Sequence, residues 1–239
     1  MKKIFYVIIV SAILFTSIFS LRAQDTSGTE FWVTFGKNND APYVLPNLNL
    51  QIRIASGNAL TTGTIYFTHL NDAVSFSMSA HEIYSYILDD AQKPTVYNMI
   101  TGTTNYSIHI VSDEPITVYA LSQLISGVDA TNILPVTALG TEYYQISYKG
   151  IELLEESYAV VATQNNTNLY YNGYLEATLD AGQVYYKINR APEMIGARIT
   201  ADYPVVFFAV MPLSVVPYGN FGGGAQSFNT TISVGKYLG

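Results

Sequence analysis

The feature that most constrains this chain is an internal repeat, carried by three landmarks in the same order. Gly28-Thr29-Glu30-Phe31-Trp32 is matched by Gly140-Thr141-Glu142-Tyr143-Tyr144. Ala80-His81-Glu82-Ile83-Tyr84-Ser85 is echoed by Ala181-Gly182-Gln183-Val184-Tyr185-Tyr186. Ile110-Val111-Ser112-Asp113-Glu114-Pro115-Ile116 is matched by Ile199-Thr200-Ala201-Asp202-Tyr203-Pro204-Val205. A chain that repeats itself in this way builds the same supersecondary unit more than once.

The units are made of strands. Runs such as Gln51-Ile52-Arg53-Ile54, Thr64-Ile65-Tyr66-Phe67 and Val205-Val206-Phe207-Phe208 are rich in β-branched and aromatic residues and are bounded by Gly, Asn, Asp and Pro. Such runs signal strands, and many of them at close spacing signal a sandwich or barrel. The fold class expected is all-β, with two tandem repeated sandwich-like units after a leader. The first unit is expected over 24–125, a linker over 126–139, the second unit over 140–213, and a Gly-rich tail over 214–239 that hints at a truncated third unit. Asp113-x-Pro115 and Asp202-x-Pro204 are expected to be structural turns. Asp would bond the local backbone, and Pro, lacking a donor, would open the last strand of its unit.

The leader fixes the compartment. Lys2 and Lys3 precede an apolar run from Ile4 to Phe19, and Leu21-Arg22-Ala23 supplies a small residue before Gln24. This is the layout of a secretory signal peptide over 1–23, and the run is shorter than the roughly 20 residues that span a bilayer. The mature chain is expected to carry no membrane span and to be extracellular or on the cell surface. Losing Lys2, Lys3 and Arg22 takes the net charge from −7 to −10. An acidic surface without a basic cluster argues against nucleic acid as a partner. The absence of cysteine removes disulfides, thiol nucleophiles and zinc–thiolate sites together.

No catalytic site is legible, and neither a cofactor nor a metal is expected. His69, His81 and His109 have no zinc-ligand spacing. There is no Gly-x-Ser-x-Gly elbow and no Ser-x-x-Lys, and Gly222-Gly223-Gly224 lacks the Lys-Ser/Thr of a phosphate loop. Glu152, Glu155, Glu156 and the pair Asp89-Asp90 form acidic loops without a calcium-binding spacing. The surface candidates are tyrosines, 20 in all. Where two are adjacent in a strand, one is expected to point outward. Tyr144, Tyr148, Tyr171, Tyr174 and Tyr186 are therefore candidate contacts for an extracellular protein or glycan.

The chain resembles the N-terminal domain family of IgG Fc-binding proteins, which also occurs in many secreted bacterial proteins. The resemblance rests on Ser27-Gly28-Thr29-Glu30-Phe31-Trp32, on Ser112-Asp113-Glu114-Pro115-Ile116, and on Leu134-Pro135-Val136 with Leu139-Gly140-Thr141-Glu142-Tyr143-Tyr144. Val161-Ala162-Thr163-Gln164-Asn165-Asn166 and Ala201-Asp202-Tyr203-Pro204 extend it, so that it covers about 26–212. It implies an extracellular, non-catalytic binding or adhesion module; the alternatives are a structural spacer of a larger surface protein and an enzyme acting on polysaccharide. It does not carry immunoglobulin binding over to this chain. The tail departs from the pattern: Ser227-Phe228-Asn229 only hints at the further aromatic strand unit that related chains usually have.

Overall fold

The computed structural model describes residues 26–37, 45–124, 127–146, 156–189, 194–210, 213–215, 226–228 and 232–233. The described chain is all-β. In the first half the strands are β1 (Ser27–Val33), β2 (Phe35–Gly36), β3 (Asn49–Ser56), β4 (Thr61–Phe67), β5 (Asp72–Met78), β6 (Ile83–Ile87), β7 (Tyr97–Asn98), β8 (Gly102–Thr104), β9 (Ile108–Leu124) and β10 (Gly127–Ile133). In the second they are β11 (Gly140–Tyr144), β12 (Glu156–Ala162), β13 (Thr167–Tyr171), β14 (Tyr174–Leu179), β15 (Val184–Asn189), β16 (Arg198–Val210), β17 (Leu213–Val215), β18 (Gln226–Phe228) and β19 (Ile232–Ser233). Two large sheets result. The first runs β5-β4-β9-β3-β6, with β1 and β10 also on β9; the second runs β14-β13-β16-β12-β15-β8, with β11 and β19 also on β16. No helix among the described residues is long and apolar enough to cross a membrane.

Each sheet is organised by one long strand, β9 of 17 residues and β16 of 13. On one edge of β9, β4 pairs as far as Ser112 and β3 takes over at Ile116. On β16, β13 pairs as far as Ala201 and β12 takes over at Val205. The opposite edge repeats as well. Gly28, Glu30 and Phe31 face Ile116, Val111 and Ile110, while Gly140, Glu142 and Tyr143 face Val205, Thr200 and Ile199. Both edges carry the same register shift just after the glycine. The three sequence landmarks thus fall at matching places in two sets of pairings.

Asp113-x-Pro115 and Asp202-x-Pro204 are not turns between strands. Each lies inside a single long strand, at the point where its neighbour on one side changes. Pro115 and Pro204 have no register partner, which is where a residue without an N–H costs no ladder bond. The aspartates bond across the gap rather than within a turn. Asp113 accepts from the Thr62 backbone N–H at 2.7 Å and from Thr62 Oγ1 at 2.8 Å. Asp202 accepts from the Asn168 N–H at 2.8 Å and from Asn168 Nδ2 at 2.9 Å.

The two sheets share a core. Strand β12 is buried at every position, as its unbroken apolar run Tyr158–Ala162 requires of a strand covered on both faces. Tyr158, Val160, Val205 and Phe207 point into a core of the second sheet alone. Ala159, Val161, Val206 and Phe208 point the other way, into a core continuous with Phe31, Ile54, Ile110 and Val118 of the first sheet. The connection 88–107 joins the sheets: β8 pairs with β15 and β7 runs parallel to β2. Buried Asn98 fastens it, donating to Thr34 Oγ1 at 2.7 Å and accepting from Thr104 Oγ1 at 2.8 Å. Ser107 Oγ donates to the Gly182 carbonyl at 2.6 Å. Residues 127–133, expected in a linker, instead form β10, which pairs along β9 from Leu124 to Val118. In the tail region the described residues include β17 paired with β18, and β19 paired with β16.

Candidate binding site

The candidate tyrosines do not form one surface. Tyr174 opens β14 after a tight turn and is 78% exposed, and Tyr144 on β11 is 40% exposed. Tyr144 Oη donates to Glu142 at 3.1 Å, and Arg198 grips the same carboxylate at 2.7 and 3.1 Å. The hydrogen bonds from Arg198 pull the Glu142 carboxyl below its ordinary range. Arg198 N–H in turn donates to Asn172 Oδ1 at 2.8 Å, so Tyr144, Arg198 and the turn before Tyr174 lie at the same end of the second sheet. Tyr171 is only partly exposed: it stacks on Tyr158, and Lys187 Nζ sits 4.1 Å from its ring centre. Tyr148 lies outside the described residues.

Tyr186 must be corrected. It is fully buried, and its hydroxyl pairs with Ser157 Oγ at 2.9 Å and accepts from Lys37 N–H at 3.1 Å. Adjacent Tyr185 is buried too, against the other core. The rule that one of two neighbouring strand residues faces water fails because this strand is covered on both sides.

The Gly-Thr-Glu landmark builds the same arrangement at both sheets. Glu30 pairs with His109 Nε2 at 3.0 Å where Glu142 pairs with Arg198. His109 then stacks on Trp32, ring centres 3.8 Å apart and nearly parallel. Burial pushes the His109 imidazole below its ordinary value, and Glu30 opposes that shift. In the first sheet the aromatic partner is sealed, with Trp32 7% exposed, and a Cβ added at Gly182 would come within 2.9 Å of its ring. In the second sheet the matching aromatic is the exposed Tyr144.

A surface not anticipated from the sequence lies on the outer face of the first sheet, across β6, β3, β9 and β10. Arg53, Ala55, Ile83, Tyr119, Leu121 and Ala130 surround a shallow depression of about 270 Å³. Ile83 is 69% exposed, Val128 60%, Ile87 59% and Tyr119 40%. The register gives this face a counterpart in the second sheet. Arg53 pairs with Ser85 and Tyr119, as Ala159 pairs with Tyr186 and Phe208. In the second sheet those positions are the shared core; in the first they face solvent. The sequence held a faint signal, since Ile83 and Ile87 match Val184 and Ile188, but only the pairing shows which faces are covered.

No group of three or more His, Asp or Glu side chains among the described residues could hold a metal ion. His69 packs edge-on against Tyr106, and His81 adopts a positive φ of 59°. Asp89 accepts from the backbone N–H groups of Ala91 and Gln92, and Asp90 pairs with Lys93. Buried Glu156 accepts from the Met194 N–H. Each of Asp89, Asp90 and Glu156 thus has a local structural partner. Glu152, Glu155 and Gly222 to Gly224 lie outside the described residues. Residues 22–239 match the family described as IgGFc binding protein. No curated protein and no solved structure matches the chain.

Proposed function

Since the chain belongs to the IgG Fc-binding protein family, we propose that it is an exported, non-catalytic module that binds extracellular proteins or glycoproteins. The family is one of binding proteins, not of enzymes. The signal peptide over 1–23 delivers the mature chain to the outside or to the cell surface, without a membrane span. The repeat builds two tandem sandwich-like units, a reading supported by the matching registers around β9 and β16.

The observation that carries the proposal is the open outer face of the first sheet. Ala55, Ile83, Leu121, Val128 and Ala130 with one cation, Arg53, and one tyrosine, Tyr119, form a face that no described element covers, and this is the composition of a protein contact. The exposed Tyr144 and Tyr174, at one end of the second sheet, offer a second contact area. No cofactor enters this function.

A second reading is a rigid spacer within a larger surface assembly. The strand that β8 lends to the second sheet and the shared core favour it, because they fix the two units against each other. One binding experiment separates the readings: the purified chain 24–239 is offered to immobilised immunoglobulin Fc, mucin and cell-wall glycans. The binding module retains at least one of them with a saturable isotherm. Retention of none by a folded chain leaves the spacer.

A further inference from the structure

The second sheet displays what occupies the matching strand edge. Its strand β15 receives β8, with Val184, Tyr185 and Tyr186 opposite Thr104, Thr103 and Gly102. Ile188 N–H donates to Thr101 Oγ1 at 3.0 Å on the same side. The counterpart of β15 is β6, because Ile83 pairs with Ala55 as Val184 pairs with Val161. β6 ends the first sheet, and no strand among the described residues pairs with its other side.

The direction of the free groups follows from the ladder. Ser56 N–H donates to the Glu82 carbonyl and Leu88 N–H to the Leu50 carbonyl. An antiparallel ladder alternates, so Tyr84 and Tyr86 bond to β3, while the backbone groups of Ile83, Ser85 and Ile87 point out of the free edge. Natural edges are blunted by charge, proline or a bulge. Ile83-Tyr84-Ser85-Tyr86-Ile87 has no charge and no proline, and its pairing with β3 runs without a register shift.

Among the described residues no strand is left over to cover this edge. β8 is engaged on β15 and tied down through Asn98. The described residues of the matching connection in the second unit, 194–197, contain no strand that would play the part of β8. Arg53 is exposed on the same face, its guanidinium donating to Gln51 Oε1 at 3.4 Å.

We propose that β6 accepts an extended segment of a partner protein as an added strand. Alternate apolar side chains of that segment lie beside Ile83 and Ile87, and a carboxylate reaches across Ser85 to Arg53. The mode is strand addition to a sheet edge, with main-chain bonds giving affinity and the alternate side chains giving specificity. This deepens the binding-module reading by naming the site and the shape of what binds there.

The test selects eight-residue peptides from a phage-displayed library on immobilised chain 24–239 and measures their affinities as synthetic peptides. Selected peptides are expected to alternate apolar residues and to carry an acid. They should slow amide exchange at Ile83, Ser85 and Ile87. Ser85→Pro removes an outward N–H without touching the β3 ladder, and Ile83→Lys puts a charge on the face. Each should weaken binding about tenfold or more at an unchanged melting temperature, whereas Tyr203→Ala, at an exposed tyrosine of the second sheet, should leave it unchanged. Arg53→Glu should weaken acidic peptides and spare neutral ones. Peptides that bind Ser85→Pro and Ile83→Lys as well as the parent overturn the proposal. So does a chain that is dimeric, with these three amides already protected, since a second copy then holds the edge. If Fc or mucin binds the parent and both variants equally, the edge proposal fails and the binding function stands. If neither binds the parent while peptides bind the edge, the reading of a glycoprotein partner fails and the edge proposal stands.

Discussion

Asp113 and Asp202 occupy the point where a long strand changes neighbours, and each satisfies a backbone N–H that the broken ladder would leave to solvent. Replacing Asp202 with Ala should cost on the order of 1 kcal/mol, the net worth of such a bond, read as a shifted urea midpoint. Partner binding should be unchanged; loss of binding at unchanged stability would make this aspartate a ligand contact instead. Gly182 is constrained twice, by a φ of +82° and by the Trp32 ring. Gly182→Ala should therefore cost roughly 1–3 kcal/mol, whereas His81, its counterpart, already carries a side chain at positive φ. His109 makes the pH response specific. Its folded-state value lies below the ordinary one, so folding favours the neutral ring. The stability this brings is complete above the unfolded value, near 6.5, and is lost as pH falls through it, because the unfolded state then binds the proton more readily. Melting curves between about pH 7.5 and 5 should fall more steeply for the parent than for His109→Gln. Equal slopes would mean that the imidazole does not report on folding.

The long strands β9 and β16 show how one pattern can serve two environments. Phe208 and Tyr119 hold matching register positions, one in the shared core and one 40% exposed. Phe208→Ala should cost about 3–5 kcal/mol through the cavity it leaves. Tyr119→Ala should stay within about 0.5 kcal/mol, as surface substitutions do. Denaturation midpoints of the two variants check the contrast, and comparable losses would mean that the first face is covered after all. Much of this was legible in the sequence. The landmark spacing located both sheets, because the glycine before each register shift and the proline at each bend are dictated by backbone chemistry. Other features were not legible. Gly127 to Ile133 has too little apolar character to announce β10, which is recruited by the edge of β9. The Asp-x-Pro segments have turn composition, yet each lies within one long strand that is paired on both edges before and after it. Tyr186 points inward because a second layer lies over it, and no local pattern reports on a neighbouring layer.

For the molecule as a whole, the consequence of the shared core is coupling. Residues 88–107 tie the sheets together through β8, Asn98 and Ser107, so the two sheets should unfold together. Calorimetry should give one transition whose calorimetric and van't Hoff enthalpies agree; two resolved transitions would mean that the sheets are independent. The same asymmetry that buries one outer face leaves the other free, and the proposed function depends on that free face. Binding isotherms of immunoglobulin Fc and mucin to the chain 24–239, to Ile83→Lys and to Tyr203→Ala, taken side by side, test this most directly. Saturable binding of at least one partner is expected of the parent and of Tyr203→Ala, with its loss in Ile83→Lys at an unchanged melting temperature. A folded parent that binds neither partner, or an Ile83→Lys variant that binds as well as the parent, would contradict it.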